Sequence, residues 1–222
     1  MILAIDTATR WTGLALHDGT AVIAEAGWHS INTQTVALAP AIVGMLQRAN
    51  VASSDLKGIA VALGPGSYTG LRVGLAVAKG IALAHQTPLL GVPTLDIVAA
   101  GFGALPGKLA IVAEAGRTRI CAAVYQWNGR KGWQAAAQPL IESWPDFLGT
   151  LNDESITFAG EITADAAKQI RAANKAYRLA TPAASTRRAG NLAELGWQRL
   201  RKGSPDDAAS LSPIYLKDPG GN

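Results

Sequence analysis

The sequence predicts a duplicated α/β fold in two lobes, each led by a three-stranded βββ unit. Three observations carry that expectation. The first half reads β-β-β-α-β-α-β-α from its hydrophobic periods, and a similar order restarts near Leu109. The chain also has 222 residues, 49% of them hydrophobic, which suits one large domain or two small lobes. The expected boundary gives an N-terminal lobe at 1–104 and a C-terminal lobe with a surface tail at 105–222. Ligands are expected near the carboxyl ends of the central strands, in a cleft between the lobes.

ILAIDTA is a short apolar run that ends at an acidic residue, and WTGLALHDGTAVIAEAG alternates and is split by Asp18-Gly19, a hairpin signal. Together they predict three mostly antiparallel strands. Residues 33–49 predict a helix, with Val36, Leu38, Ala39, Ile42, Val43, Leu46 and Ala49 at helical spacing and Pro40 in its early turns. GIAVALG predicts a strand, followed by a glycine turn and a long helix over 69–85. TPLLGVP predicts another strand and residues 94–100 the start of a helix.

In the second half LAIVAEA and RICAAVYQW predict strands, with a hairpin turn at Asn128-Gly129. GWQAAAQPLI is expected to be a third strand, residues 144–151 a short helix, SITFAG a strand, 164–174 a helix, YRLA a strand and 185–202 a helix. The proline-punctuated tail is expected along the surface, anchored by Tyr215 and Leu216.

Charged residues make up only 16% of the chain, against a usual quarter. Either a partner covers part of the apolar surface or the core is simply large; both readings stay open. A net charge of +4 and a pI near 9.4 permit nucleic-acid contact without requiring it. The densest basic group, Arg187, Arg188, Arg199, Arg201 and Lys202, reads as a solvated helix face. The single cysteine, Cys121, excludes an internal disulfide and is expected to be a buried, inert thiol. The N-terminus lacks the pattern of a signal peptide, and the apolar run 81–90 is too short to cross a bilayer, so a cytoplasmic protein is expected.

The glycine loop poses the chemical question. Gly64, Gly66 and Gly70 permit a sharp strand-to-helix turn, Pro65 stiffens it, and Ser67 or Thr69 would cap the helix. Free N–H groups there would also suit an anion. A P-loop needs Gly-Lys-Ser/Thr at the helix start, whereas this chain has Thr69-Gly70-Leu71-Arg72 and no lysine before Lys79. A dinucleotide loop would place its third glycine where Thr69 stands. A nucleophile elbow around Ser67 would need glycines where Pro65 and Thr69 stand. The helix after the loop carries Gly70, Gly74, Ala78 and Ala82 at intervals of four, a smooth stripe open to close helix approach. A helix with so few charges lies in a core or an interface, and its residues alone do not separate the two. Asp6 and Glu114 end strand-like runs and could sit beside phosphates or cap the strands. His17, His29 and His85 lack zinc-ligand spacing, and His17 is expected to be exposed.

ILAIDTAT at 2–9, GPGSYTGLRVGLAVAKGIA at 64–82, PLLGVPTLD at 88–96 and PIYLK at 213–217 together resemble the TsaB family, formerly called YeaZ. The resemblance is close in the first half, weaker afterwards, and returns at the tail. It implies the duplicated fold of actin, the heat-shock chaperone ATPases and the sugar kinases, an actin-like (ASKHA, ribonuclease H-like) architecture. It implies a role in transferring a threonylcarbamoyl group to N6 of adenine 37 in tRNAs that read codons beginning with A. In that family the chain is a non-catalytic scaffold without cofactor or metal. It pairs with the catalytic subunit TsaD or with itself, the ATPase TsaE is a third partner, and tRNA is engaged through the complex.

On the family's pattern, Gly64, Pro65, Gly66, Ser67 and Thr69 form a structural loop that positions the helix over 69–85. With the helix over 33–49 this makes the pairing surface, so Val36, Ala39, Val43, Leu46, Gly70, Gly74, Val77, Ala78 and Ile81 are the expected partner-binding residues. Asp6 and Glu114 are the candidates for weak nucleotide contact, although Thr7 stands where the kinases have a glycine. This chain departs from the family at Gln34-Thr35, in place of a His-Ser or His-Thr pair. It departs again at Glu114-Ala115-Gly116, in place of Asp-Ala-Arg, with the nearest arginine at Arg117. Two other readings remain: a small-molecule kinase or peptidase-like enzyme on the same fold, using Asp6 and Glu114, and direct tRNA binding by the Arg187–Lys202 region.

Overall fold

The computed structural model describes residues 1–30, 34–116, 118–152 and 155–216, with the side chain of Gln34 also outside the description. The chain divides into two compact units. The first comprises Met1–Ile97 and Arg188–Ile214, and the second contains Val98–Arg187.

The first unit is built on strands β1 (Ile2–Asp6), β2 (Trp11–His17), β3 (Val22–His29), β4 (Gly58–Gly64) and β5 (Leu89–Pro93), in the order β3-β2-β1-β4-β5. The β1/β2 and β2/β3 pairs are antiparallel; β1/β4 and β4/β5 are parallel. The Asp18-Gly19 hairpin forms as predicted. Its turn is held by Asp18, whose Oδ1 accepts the N–H groups of Thr20 and Ala21. Helices α1 (Gln34–Arg48), α2 (Tyr68–His85) and α3 (Thr94–Ala99) follow in chain order.

Strand alternation divides the sheet's side chains between two cores. Leu3, Ile5, Leu14, Leu16, Ile59 and Val61 cluster with Leu38, Ile42, Met45 and Leu46 of α1 and Leu75, Ala78 and Ala82 of α2. Ile2, Ala4, Ala15, Ala60, Ala62, Leu90 and Val92 form the other cluster with Ala189, Leu192 and Ala193. Those last three belong to the final helix, α7 (Ala189–Arg201). With both faces covered, β1 and β4 are buried at every position, which is why they read as unbroken apolar runs. The second face is small because α7 lies close: a Cβ on Gly196 would come 2.6 Å from the Cβ of Ala60.

The second unit repeats the plan with β6 (Lys108–Gly116), β7 (Arg119–Asn128), β8 (Gly132–Ala135), β9 (Leu140–Ser143), α4 (Trp144–Thr150), β10 (Ile156–Gly160), α5 (Ala164–Ala173), β11 (Arg178–Leu179) and α6 (Pro182–Ser185). Its sheet runs β11-β10-β6-β7-β8, and β9 also pairs with β7. Antiparallel β6/β7/β8 and parallel β6/β10/β11 match β1/β2/β3 and β1/β4/β5. The duplication is therefore present in strand order as well as in sequence.

Several expectations change. GWQAAAQPLI is two strands, β8 and β9, divided by residues 136–139, and β7 is long enough to pair with both in turn. The helix expected over 185–202 is two helices, α6 and α7, separated at residues 186–188. The expected boundary after residue 104 placed residues 188–214 with the second half, but they pack with the first unit. In the tail, Leu211 packs on the first core and the Ile214 N–H donates to the Leu63 carbonyl at 2.7 Å, while Tyr215 is largely exposed. Leu211 and Ile214 therefore also hold the tail, and Leu216 is half-buried. His17, expected to be exposed, is buried. Its Nδ1 accepts the Gly19 N–H at 2.9 Å and its Nε2 lies 2.9 Å from Glu194 Oε2 on α7.

Ion pairs fasten α7 to the sheet. Glu25 of β3 takes the Arg188 guanidinium on one oxygen and the Gly190 N–H at 2.8 Å on the other. Asp206 accepts from Arg199 at 2.9 Å and from the Gly91 N–H of edge strand β5 at 2.6 Å. Burial alone would raise both carboxyls, but the guanidinium and N–H donors outweigh it and hold both below their ordinary range. A carboxyl lowered in the fold adds stability that is complete above its unfolded pKa and lost as pH falls through its folded pKa. Urea unfolding between about neutral pH and about pH 3 should therefore show stability falling with acid. Asp206→Asn should flatten that profile and cost about 2 kcal/mol at neutral pH.

Candidate functional site

The candidate site has two parts, the loop after β4 and the outer face of α1 and α2. At the loop, β1 exits through Thr7 and Ala8 directly against the first turns of α2. The Ser67 N–H donates to the Ala8 carbonyl at 2.6 Å, and Thr7 Oγ1 donates to the Gly70 carbonyl at 2.6 Å. Added Cβ atoms show how tight this is. At Gly66 one would lie 2.1 Å from Ala8 O, at Gly70 2.2 Å from Thr7 O, and at Gly74 2.2 Å from Thr7 Oγ1. Gly66 and Gly70 thus make room for the chain's own backbone, and Gly74 for the Thr7 side chain. Ser67, not Thr69, is the N-cap: its Oγ accepts the Gly70 N–H at 3.2 Å. Pro65 is buried with Gly64 behind the turn.

That geometry buries part of the expected pairing face. Gly70, Gly74 and Ala78 are buried within their own unit, and so is Leu46. Val77 and Ile81 are half-buried and pack on the same core. The stripe of small residues serves the approach of Thr7, because spacing of four turns one helix face toward whatever presses closest.

The opposite face is open. Val36 is 76% exposed, Val43 52% and Leu83 84%, with Ala39, Pro40, Ala76, Gly80 and Ala84 exposed alongside. A Cβ at Gly44 or at Gly80 would meet nothing within 4 Å, so no packing inside the chain requires these glycines. Tyr68 stands at the start of α2, its ring covered by the Arg72 guanidinium at 3.8 Å. Of the departures noted in the sequence, Thr35 is exposed and Gln34 begins α1.

The acidic candidates differ in setting. Asp6 is fully buried, and its Oδ1 accepts the Ala8 N–H at 2.9 Å, the geometry of a strand-end cap. Glu114 is exposed near the end of β6, and its N–H donates to Glu161 Oε2 at 2.9 Å. Arg117 lies outside the described residues. Sequence reasoning missed Glu161 and misplaced Arg187. Arg187 is 5% exposed, with Nη1 3.8 Å from Glu161 Oε1. Arg188 and Arg199 are engaged by Glu25 and Asp206, while Arg188, Arg201 and Lys202 are exposed, so of the expected solvated face only Arg187 is withdrawn into the core. The cue was an arginine just before a buried helix start, and nothing in sequence spacing names its carboxylate. Among the described residues no group of three His, Cys, Asp or Glu side chains converges as metal ligands do. No helix among them is long and apolar enough to cross a membrane.

Against solved structures, the chain superposes on YeaZ from Pseudomonas aeruginosa with a TM-score of 0.77 at 22% identity, covering 97% of this chain and 99% of that one. It also superposes on an activator of 2-hydroxyisocaproyl-CoA dehydratase from Clostridium difficile, solved with bound ADPNP, with a TM-score of 0.50 at 10% identity over 96% and 98% of the two chains. The strand order repeated in the two units, together with these superpositions, makes this a duplicated actin-like α/β protein. A family model described as TsaD: tRNA N6-adenosine threonylcarbamoyltransferase matches residues 32–221. The tRNA threonylcarbamoyladenosine biosynthesis protein TsaB of Bacillus subtilis is 30% identical over 97% of this chain and 93% of its own. The chain belongs to the TsaB (YeaZ) family of tRNA threonylcarbamoyladenosine biosynthesis proteins.

Two measurements check the local chemistry. Gly70→Ala should lower stability by about 2–4 kcal/mol in thermal unfolding, since its methyl meets backbone rather than a yielding side chain. Burial, and then the nearby Glu161 carboxylate, push the Cys121 thiol up to about 11 against a smaller opposing effect of Arg119. Iodoacetamide at mildly alkaline pH should therefore modify the folded protein at least about a hundredfold more slowly than the unfolded chain.

Proposed function

We propose that this chain is a non-catalytic scaffold subunit in the transfer of a threonylcarbamoyl group to N6 of adenine 37 in tRNA. It pairs through the outer face of α1 and α2 with a TsaD-type catalytic subunit, and TsaE is the ATPase of the same assembly. A second copy of this chain would compete for the same face. The observation that carries the reading is that face itself, where Val36, Val43 and Leu83 stand exposed beside glycines with no neighbour. The loop supports it from the other side. The turn leading into α2 is occupied by Ala8 and Thr7 of the chain itself. Asp6 is already engaged by the Ala8 N–H.

The pairing residues are therefore the outward ones, Val36, Ala39 and Val43 on α1 with Ala76, Gly80 and Leu83 on α2. Val43→Asp and Leu83→Asp should each fold normally, because both side chains are solvent-exposed. Each should weaken the complex with a TsaD-type subunit at least about a hundredfold, since an unpaired carboxylate buried in an interface costs about 3 kcal/mol. Size exclusion of co-expressed subunits reads this directly. Co-elution of both variants with the subunit, as the parent does, removes the assignment. The parent alone should transfer no threonylcarbamoyl group from its adenylate to tRNA; transfer by the isolated chain would refute the scaffold role.

A further inference from the structure

The second unit carries an aromatic and cationic hairpin that pairing through α1 and α2 does not use. Strands β7 and β8 are joined by Asn128-Gly129-Arg130-Lys131-Gly132, and Trp127 lies directly opposite Trp133. The tip is held in shape by Asn128. Its Oδ1 accepts the N–H groups of Arg130 at 3.0 Å and Lys131 at 3.2 Å, and its carbonyl accepts the Lys131 N–H at 3.1 Å. The base is equally fixed: Trp133 is buried and its Nε1 donates to the Gly103 carbonyl at 3.0 Å. The two indoles meet at 5.4 Å between centroids and 69°, a T-shaped contact. Trp127 is thus pinned yet 40% exposed. Leaving an indole in water forgoes the burial that such a large ring normally gains. Arg130 and Lys131 are both exposed, and no acidic residue occurs between Arg119 and Ile141.

We infer that this hairpin is an RNA-contacting finger, which stacks an unpaired base on Trp127 and holds the adjoining phosphates with Arg130 and Lys131. An aromatic platform beside exposed cations is the arrangement single-stranded nucleic acid selects, since every base offers a π-face and every linkage a negative charge. Preordering by Asn128 and Trp133 lowers the entropy lost when the tip is engaged. The choice of RNA over other polyanions rests on reading the chain as part of a tRNA-modifying assembly; the stacking geometry does not depend on the α1–α2 pairing face.

The test uses the full-length protein and fluorescence anisotropy at low salt. The probes are a fluorescein-labelled RNA stem–loop with an unpaired loop, the same stem closed as a duplex, and a poly-glutamate peptide as competitor. The stem–loop should bind, and Trp127→Ala should weaken it about tenfold, since stacking on an aromatic ring is worth about 1–3 kcal/mol per base. Trp127→Phe should retain most of the affinity, and residual duplex binding should not respond to Trp127→Ala. Arg130→Ala with Lys131→Ala should lower the salt slope by about 1.4, at about 0.7 per phosphate contact on a single strand. That double variant changes only the exposed tip, so it keeps the test decisive should Trp127→Ala unfold. Failure of the parent to bind, or stem–loop affinity unchanged in both variants, overturns the inference. So does poly-glutamate binding that disappears with the same substitutions, which would make the finger an acidic-protein contact. Val43→Asp should leave this RNA affinity unchanged, so loss of pairing and loss of RNA contact fail separately.

Discussion

The close passage of Thr7 and Ala8 against the first turns of α2 fixes the rest of the first unit. Such an approach needs positions without side chains: Gly66 and Gly70 leave room for the Ala8 and Thr7 carbonyls, and Gly74 for the Thr7 side chain. Once Ser67 N–H and Ala8 O, and Thr7 Oγ1 and Gly70 O, are joined, the rotation of α2 about its axis is set. One face, with Leu75, Ala78 and Ala82, must enter the core beside α1. The other, with Ala76, Gly80 and Leu83, must look outward. A single packing decision therefore sets which face of α2 is buried and which is open, on a fold that by itself implies no particular chemistry.

A second set of interactions returns the end of the chain to its beginning. Glu25 with Arg188 and Gly190, His17 with Glu194, and Asp206 with Arg199 and Gly91 join α7 and the segment after it to the hairpin and edge strand of the first sheet. These contacts use donors in pairs on partly covered carboxylates, which is where ion pairs contribute beyond the small worth of exposed ones. They also account for the low density of free charge along the last helix. Arg188 and Arg199 tie the fold together, and Arg187 sits buried beside Glu161 in the second unit. Arg130 and Lys131 at the β7–β8 tip are exposed, as are Arg201 and Lys202 at the end of α7.

The two units use one strand order with different decoration. In the first, β3 is a full eight-residue strand, whereas its counterpart region in the second is divided into β8 and β9. Beside that division the β7–β8 hairpin carries Trp127, exposed, opposite the buried Trp133. In the first unit the elaboration is a pair of apolar helices, and in the second an aromatic turn. Duplication supplies two platforms, and divergence at loops and helix faces gives each its own surface.

The sequence by itself determined the elements, their order and the family. Period-two and helical patterning, Asp18-Gly19, Asn128-Gly129 and the GPGSYTG run are local signals, each set by the conformations its residues permit. It also marked α2 as unusually poor in charge. Sequence could not say which face of α2 points outward, because Gly70, Gly74 and Ala78 are equally smooth against a partner and against Thr7, which lies 63 residues from Gly70. Nor could it bury His17 or Arg187, whose partners Glu194 and Glu161 lie far along the chain. It drew one helix where 186–188 divide two, and one strand where β7 serves two neighbours. Contacts between distant segments are settled by which surfaces the tertiary fold presses together, and burial and charge pairing exist only once that has happened.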